Sequence, residues 1–170
     1  MGEFVSGNDE ATADAASCGA DCWKNAIWNT PVAGDYAAEA TFRFDTPGDH
    51  YNCMMFGMQS VSTQDEWWDC CLDRESASPA LSLWHHAAGA NTLVKVKDKP
   101  SVEDITTPPT AWRRIRVEYR PNLSMQCFFD NELGAHADLQ STADVWHDPT
   151  YVGLRAYEAK VHFSSFVVYQ

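Results

Sequence analysis

Three stretches hold side chains that could do chemistry. The densest is Asp65-Glu66-Trp67-Trp68-Asp69-Cys70-Cys71-Leu72-Asp73-Arg74, where carboxylates stand among tryptophans and cysteines. Cleaving a glycosidic bond takes two carboxyl groups, one acid and one base or nucleophile, at a set separation. Glu66 and Asp69 are the pair this stretch offers, with Asp65 and Asp73 beside them. The second stretch is Trp84-His85-His86. The third is Tyr151 to Tyr157, where Tyr151, Arg155 and Tyr157 share one face of a strand and Val152, Leu154 and Ala156 the other. Sugar rings stack their C–H faces on Trp or Tyr, and their hydroxyls pair with Asp, Asn, Arg and His. Trp67, Trp68, Asp69, Arg74, Trp84, His85, Arg155 and Tyr157 therefore form the candidate ligand-binding set. His86, Trp146, His147 and Asp148 are of the same types. Large aromatics also fill cores, so two or three of these tryptophans are expected inside.

Other chemistries fit less well. Neighbours in a strand point to opposite faces, so His85 and His86 do not share one metal ion easily. They read as one surface and one packed histidine, and no finger-type Cys/His spacing appears. No Gly-rich phosphate loop and no Gly-x-Ser-x-Gly elbow is present. The formal net charge of −12 disfavours nucleic acid and anionic membranes as partners. A neutral, cationic or metal-bridged ligand is easier to hold. No apolar run is long enough to span a bilayer as a helix, so membrane insertion is not expected.

The elements that must position these groups read as β-strands. Residues 111–133 form two strands with period-two alternation around Arg120-Pro121-Asn122. Ile115, Val117 and Tyr119 take one face, and Trp112, Arg114, Arg116 and Glu118 the other. On the return strand Leu123, Met125, Cys127 and Phe129 alternate with Ser124, Gln126, Phe128 and Asp130. Residues 36–44 alternate cleanly, and 51–61 read as an apolar strand with Gly57 as a bulge. Residues 81–86 and 92–97 form another hairpin, and 151–157 and 161–169 a last pair. Residues 134–150 read as a polar loop. About nine or ten short strands without a long helix mean a sandwich or barrel.

The 170 residues suffice for one domain with its own core. Met1-Gly2-Glu3-Phe4 reads as a cloning scar, and residues 1–17 as a small, acidic, disordered tail. This tail has neither the charged nor the apolar part of a signal peptide. The single domain is expected from 18 to 170. Six cysteines suggest an oxidising compartment and allow fifteen connectivities. Cys18 and Cys22 could close a local loop, and Cys53 could meet Cys70 or Cys71. Those two should face opposite ways in a strand and so take different partners.

The chain resembles the concanavalin A-like lectin/glucanase superfamily, above all its laminin-G-like and 3-keto-disaccharide hydrolase-like members. The resemblance rests on Trp112 to Tyr119, Met125 to Asn131, Tyr151 to Tyr157 and Lys160 to Tyr169, with Gly34-Asp35-Tyr36 upstream. It implies an all-β, antiparallel β-sandwich of the jelly-roll type. Two positions depart from the pattern. The usual Asp-Gly turn is Asp130-Asn131, and the usual Asp-Asp before the final strand is Ser164-Ser165. An acidic residue at the latter place helps ligate a structural calcium ion in many relatives, and here it is missing. Sandwich glucanases of this type carry Glu-x-Asp-x-(x)-Glu on one strand, and no such run exists here. Arg116-Val117-Glu118-Tyr119-Arg120 resembles the Arg-x-Glu-x-Arg strand of alginate lyases, but the accompanying Gln-x-His strand is absent. Arg116 and Glu118 read instead as paired surface charges.

The sequence thus points to an extracellular, lectin-like module that recognises a poly- or oligosaccharide without catalysis or cofactor. It could stand within a larger multidomain protein. The alternatives are a glycoside hydrolase or polysaccharide lyase of the same fold, using Glu66 and Asp69, and a protein-interaction or adhesion module.

Overall fold

The computed structural model describes residues 3–4, 11–14, 23–45, 51–62, 66–73, 80–87, 89–98, 112–130, 136–142, 146–157 and 159–170. In chain order the strands are β1 (Glu3–Phe4), β2 (Ala11–Asp14), β3 (Trp23–Ile27), β4 (Tyr36–Phe44), β5 (Tyr51–Met58), β6 (Glu66–Asp73) and β7 (Ala80–Ala87). They continue with β8 (Ala90–Asp98), β9 (Arg113–Arg120), β10 (Ser124–Asp130), β11 (His136–Ser141), β12 (Tyr151–Tyr157) and β13 (Lys160–Tyr169). All pairings are antiparallel, in two sheets. One runs β1-β13-β4-β9-β10-β11, with β2 also on β13; the other runs β3-β12-β5-β6-β7-β8. Among the described residues there is no helix long and apolar enough to cross a membrane.

The alternation read from the sequence decides which face of each strand is buried. Ala38, Ala40, Phe42, Ile115, Val117 and Phe129 from the first sheet meet Met54, Phe56, Cys70, Leu72, Leu83 and Leu154 from the second. The β9–β10 hairpin turns through Pro121 and Asn122, whose φ of 61° is the turn conformation that Asn tolerates. Leu123 lies in that turn and is exposed, rather than inward with Met125 and Cys127. The disulfide Cys70–Cys127 ties β6 to β10 through the core. Cys53–Cys71 joins directly opposed residues of β5 and β6 on the outer face of the second sheet. Cys70 and Cys71 thus have different partners, as the two-face rule requires. The proposed Cys18–Cys22 loop lies outside the described residues.

Gly57 sits at φ +64°, where β5 bulges against β12. A Cβ there would lie 3.2 Å from both Trp68 and Tyr119, so the close approach of these rings needs a glycine. The Gly57 N–H donates to the buried Tyr36 hydroxyl (3.2 Å), as does the Thr150 hydroxyl (3.2 Å). Burial pushes the Tyr36 phenol well above its ordinary value, and these two hydrogen bonds only partly oppose that.

Two expectations change. In the tail expected to be disordered, β1 and β2 pair with β13, giving its outer edge the hydrogen-bond partners an edge strand otherwise lacks. In the stretch read as a polar loop, residues 136–141 form β11 on β10. That strand, His-Ala-Asp-Leu-Gln-Ser, is too polar to announce itself by hydrophobic alternation.

Candidate functional site

The outer face of the six-stranded sheet collects most of the residues singled out above. On β6, Trp67, Asp69 and Cys71 point outward, while Trp68, Cys70 and Leu72 enter the core. On β7, Trp84 and His86 point outward, as do Arg155 and Tyr157 on β12. The edge strand β3 adds Trp23, paired in register with Tyr157.

Arg155 is the hub. Its guanidinium carbon lies 3.5 Å from the Trp23 ring centroid and 5.4 Å from that of Trp67. Its Nη1 donates to Asp69 Oδ2 at 3.0 Å. Trp67 stacks on His86, its register partner across β6 and β7, at 4.5 Å and 6°. Trp23 packs on Tyr157 at 4.2 Å. The result is a continuous layer, Tyr157-Trp23-Arg155-Trp67-His86, above a carboxylate only 1% exposed. Burial pulls the Arg155 pKa below its ordinary value, while the charge of Asp69 and its hydrogen bond oppose this.

His86 is held from two sides. Its Nδ1–H donates to Asn91 Oδ1 at 2.7 Å, because an amide oxygen can only accept. Its Nε2 lies 2.9 Å from Asp69 Oδ2. That contact is close in charge but poorly aimed, so Nε2 has no directed hydrogen bond. Trp67 Nε1, Asp69 Oδ1 and Arg155 Nε are likewise buried without partners. Such atoms usually cost about 1–3 kcal/mol each unless answered, so four on one face mark a site.

Beside this layer lies a depression of about 280 Å³, lined by Trp23, Asp69, Cys71, Trp84, His86, Asn91 and Tyr157. Trp84 Nε1 donates to Ser82 Oγ at 2.9 Å, which fixes the indole as a wall. Cys53, Asp69 and Cys71 are close enough to resemble a metal cluster. Both sulfurs are spent in a disulfide, however, and only a thiolate ligates a metal well.

Other candidates lie elsewhere. Trp68 is 6% exposed and belongs to the core. It stacks on His85 at 4.4 Å, away from the Trp67 layer. Glu66 receives His85 Nε2 at 2.9 Å and His147 Nε2 at 3.0 Å. Desolvation, the largest single influence, raises the Glu66 pKa, but the two histidines together hold it below the ordinary value. Glu66, held by His85 and His147, and Asp69, held by Arg155, face opposite sides of β6. Trp146 and His147 pack on Tyr119, whose hydroxyl donates to the His147 carbonyl at 2.9 Å. Asp148 Oδ1 accepts the Gly34 N–H at 2.8 Å. Tyr119 is buried on the face opposite Arg116 and Glu118; the tyrosine beside those charges is Tyr169, whose ring centroid lies 6.0 Å from the Arg116 guanidinium carbon. Arg74, Asp65 and the side chain of Asp73 lie outside the described residues.

Calcium needs several oxygen ligands. At the place where many relatives are acidic, β13 carries the hydroxyls of Ser164 and Ser165. Asp45, opposite Lys160 at the start of β13, has its carboxylate engaged by His162 (2.9 Å) and Lys160 (3.1 Å). This donor set does not fit the ion.

Trp23, Asn91 and the Cys53–Cys71 floor were not singled out by sequence reasoning. The register of the β7–β8 hairpin is the signal for Asn91, since it stands opposite His86.

Two antiparallel sheets in this order make an antiparallel β-sandwich with the jelly-roll, concanavalin A-like fold. As a sequence, the chain matches no protein-family model and no curated protein. As a structure, it is similar to the carbohydrate-binding module CBM66 from Bacillus subtilis, with a TM-score of 0.69 and 11% identity over 95% of this chain and 92% of that one. It is similar to the VIP36 exoplasmic/lumenal domain in its Ca²⁺/Man3GlcNAc-bound form, at 0.65 and 11% identity over 89% of this chain and 75% of that one. A legume lectin-like domain from Entamoeba histolytica gives 0.64 and 7% identity over 95% of this chain and 82% of that one. At these identities the likeness is one of fold.

Proposed function

We propose that this chain is a carbohydrate-binding, lectin-like module that holds a poly- or oligosaccharide on the outer face of the six-stranded sheet without cleaving it. The observation that carries this is the depression walled by Trp84, Tyr157 and Trp23 and edged by Asp69, His86 and Asn91. Aromatic walls suit the C–H faces of sugar rings, and the polar rim suits their hydroxyls. The neighbours whose names include a carbohydrate-binding module and a glycan-bound lumenal domain support the reading. Two disulfides support an extracellular or lumenal setting. Glu66 and Asp69 on opposite faces speak against the two-carboxylate alternative.

The test is a glycan array run beside a reducing-end release assay on the same polysaccharides. Retention without release is expected, with affinity falling at least about ten-fold in Trp84→Ala and Tyr157→Ala. Release that vanishes in Asp69→Asn or Glu66→Gln would replace the module with an enzyme. Silence in both assays would replace it with a protein-binding sandwich.

A further inference from the structure

We propose a second saccharide-binding site on the opposite face of the sandwich, built on β13, β4 and β9 and specific for a neutral sugar residue. Tyr169, Ala37 and Glu118 stand in one row across these strands, because Tyr169 pairs with Ala37 and Ala37 with Glu118. All three face away from the core. The small Ala37 between two larger side chains leaves a hollow, and a depression of about 280 Å³ lies there. This equals the volume on the first face and suits one small ring.

The walls have the chemistry of a sugar site. Tyr169 is 44% exposed, and Trp23 is 37% exposed. These are the exposed large aromatics among the described residues, and each lines one of the two depressions. A phenol this exposed presents ring surface to solvent. The Arg116 guanidinium carbon stands 6.0 Å from the Tyr169 ring centroid. Glu118 accepts from Arg116 Nη2 at 2.7 Å and from Arg120 Nη2 at 3.4 Å. Gln170 Nε2 donates to the Ala33 carbonyl at 3.2 Å, which pins the end of β13. Both arginines keep further N–H donors directed to solvent, since a guanidinium carries five.

Charge selects the ligand class. The depression is lined by two cations, Arg116 and Arg120, and two anions, Asp35 and Glu118, so its charges cancel. An anionic sugar gains no net attraction there and meets a chain of net charge −12. A neutral sugar takes charge-assisted hydrogen bonds from both signs without that penalty. With sites on opposite faces, one chain could bridge two polysaccharide strands. This site depends on no residue of the first.

The test uses the full chain and neutral hexasaccharides of glucose, mannose, galactose and xylose. Titration calorimetry and backbone NMR shifts are recorded for wild type, a first-face variant (Trp84→Ala/Tyr157→Ala) and second-face variants (Tyr169→Ala, Arg116→Ala, Ala37→Leu). The first-face variant is expected to retain binding of at least one hexasaccharide, with shifts centred on Ala37, Glu118 and Tyr169. Adding any second-face substitution should weaken that binding at least about ten-fold without changing the melting temperature. Polysaccharide-coated beads should aggregate with wild type and not with either class of variant. Loss of all hexasaccharide binding in the first-face variant would overturn the proposal. So would residual binding that ignores Tyr169→Ala, Arg116→Ala and Ala37→Leu.

Discussion

Removing one partner of the Arg155–Asp69 pair should cost far more than removing both. Asp69 is 1% exposed and Arg155 11% exposed at the side chain, so neither charge is well served by water. In Arg155→Met the buried carboxylate keeps the His86 ring beside it, with Nε2 at 2.9 Å, but no guanidinium. Breaking a buried pair in this way costs about 3–5 kcal/mol. The His86 contact and the apolar fit of Met between Trp23 and Trp67 reduce this to about 3 kcal/mol. Asp69→Leu strands the guanidinium instead, again at about 3 kcal/mol, although its contact with Trp23 still returns about 1 kcal/mol. The double variant Asp69→Leu/Arg155→Met leaves no stranded charge and should lose only about 1–2 kcal/mol. The coupling energy is then about 4 kcal/mol, a large share of the 5–15 kcal/mol typical of a domain. Urea unfolding of the oxidised protein measures it, provided m stays constant across the four proteins. Saccharide binding separates stability from function, because the double variant should fold well and still fail to bind. Additive losses, or either single variant within about 1 kcal/mol of wild type, would refute the account of Arg155 as the hub.

Three further outcomes follow from single positions. In Gly153→Ala a Cβ would stand 2.6 Å from the Ala26 carbonyl oxygen and 3.0 Å from Ile27 Cα. Strand β3 must then move, so Trp23 leaves the site; calorimetry should show about ten-fold weaker saccharide binding for about 1–2 kcal/mol of stability. The Glu66 carboxyl is held below its ordinary value of 4.5, so its stabilising effect is fully present above that pH and is lost as pH falls through the lower folded value. The stability gap between wild type and Glu66→Gln, about 1 kcal/mol after solvent screening, should close as pH falls below about 4.5; a gap that widens on acidification would contradict the histidine bridge. Removing Cys70–Cys127, with 57 residues of separation, should cost about 4 kcal/mol, and removing Cys53–Cys71, with 18, about 3 kcal/mol, by the chain-entropy relation. Paired Cys→Ala variants in urea check the order, and its reversal would show that packing outweighs loop closure.

The two sheets were legible where one face of a strand is apolar and the other polar, as in β4, β9 and β10. The same rule placed Arg155 and Tyr157 together on β12. It does not decide the inward face of β6, because Glu-Trp-Trp-Asp-Cys-Cys-Leu-Asp offers large or polar groups to both sides. Trp67 and Trp68 therefore looked like one site from sequence, and the structure splits them by parity. His85 and His86 part in the same way. Trp23 was hidden for a different reason. Its strand is five residues at a sheet edge with little buried surface, and its value comes from pairing with a residue 134 positions later. Periodicity within a segment carries no information about such a partner. The disulfides show the same boundary. Adjacent cysteines in a strand must diverge, and Cys53 was legible as the partner of one of them, but choosing Cys71 for it and naming Cys127 for Cys70 requires knowing which strands are neighbours and which face each other across the core.

That divergence organises the molecule. Each step along β6 changes which problem the residue solves. Trp68, Cys70 and Leu72 hold the two sheets together, and Trp67, Asp69 and Cys71 build the floor and wall of the outer site. A strand serving both faces cannot slip by one residue without exchanging core for site, and the two disulfides forbid that slip from opposite sides. Cys53–Cys71 sets the register against β5, while Cys70–Cys127 sets which face of β6 looks inward. The aromatic layer over Asp69 is therefore positioned by bonds that lie outside it. This explains how a layer of stacked rings and one buried ion pair can be held on the outer face of a sheet.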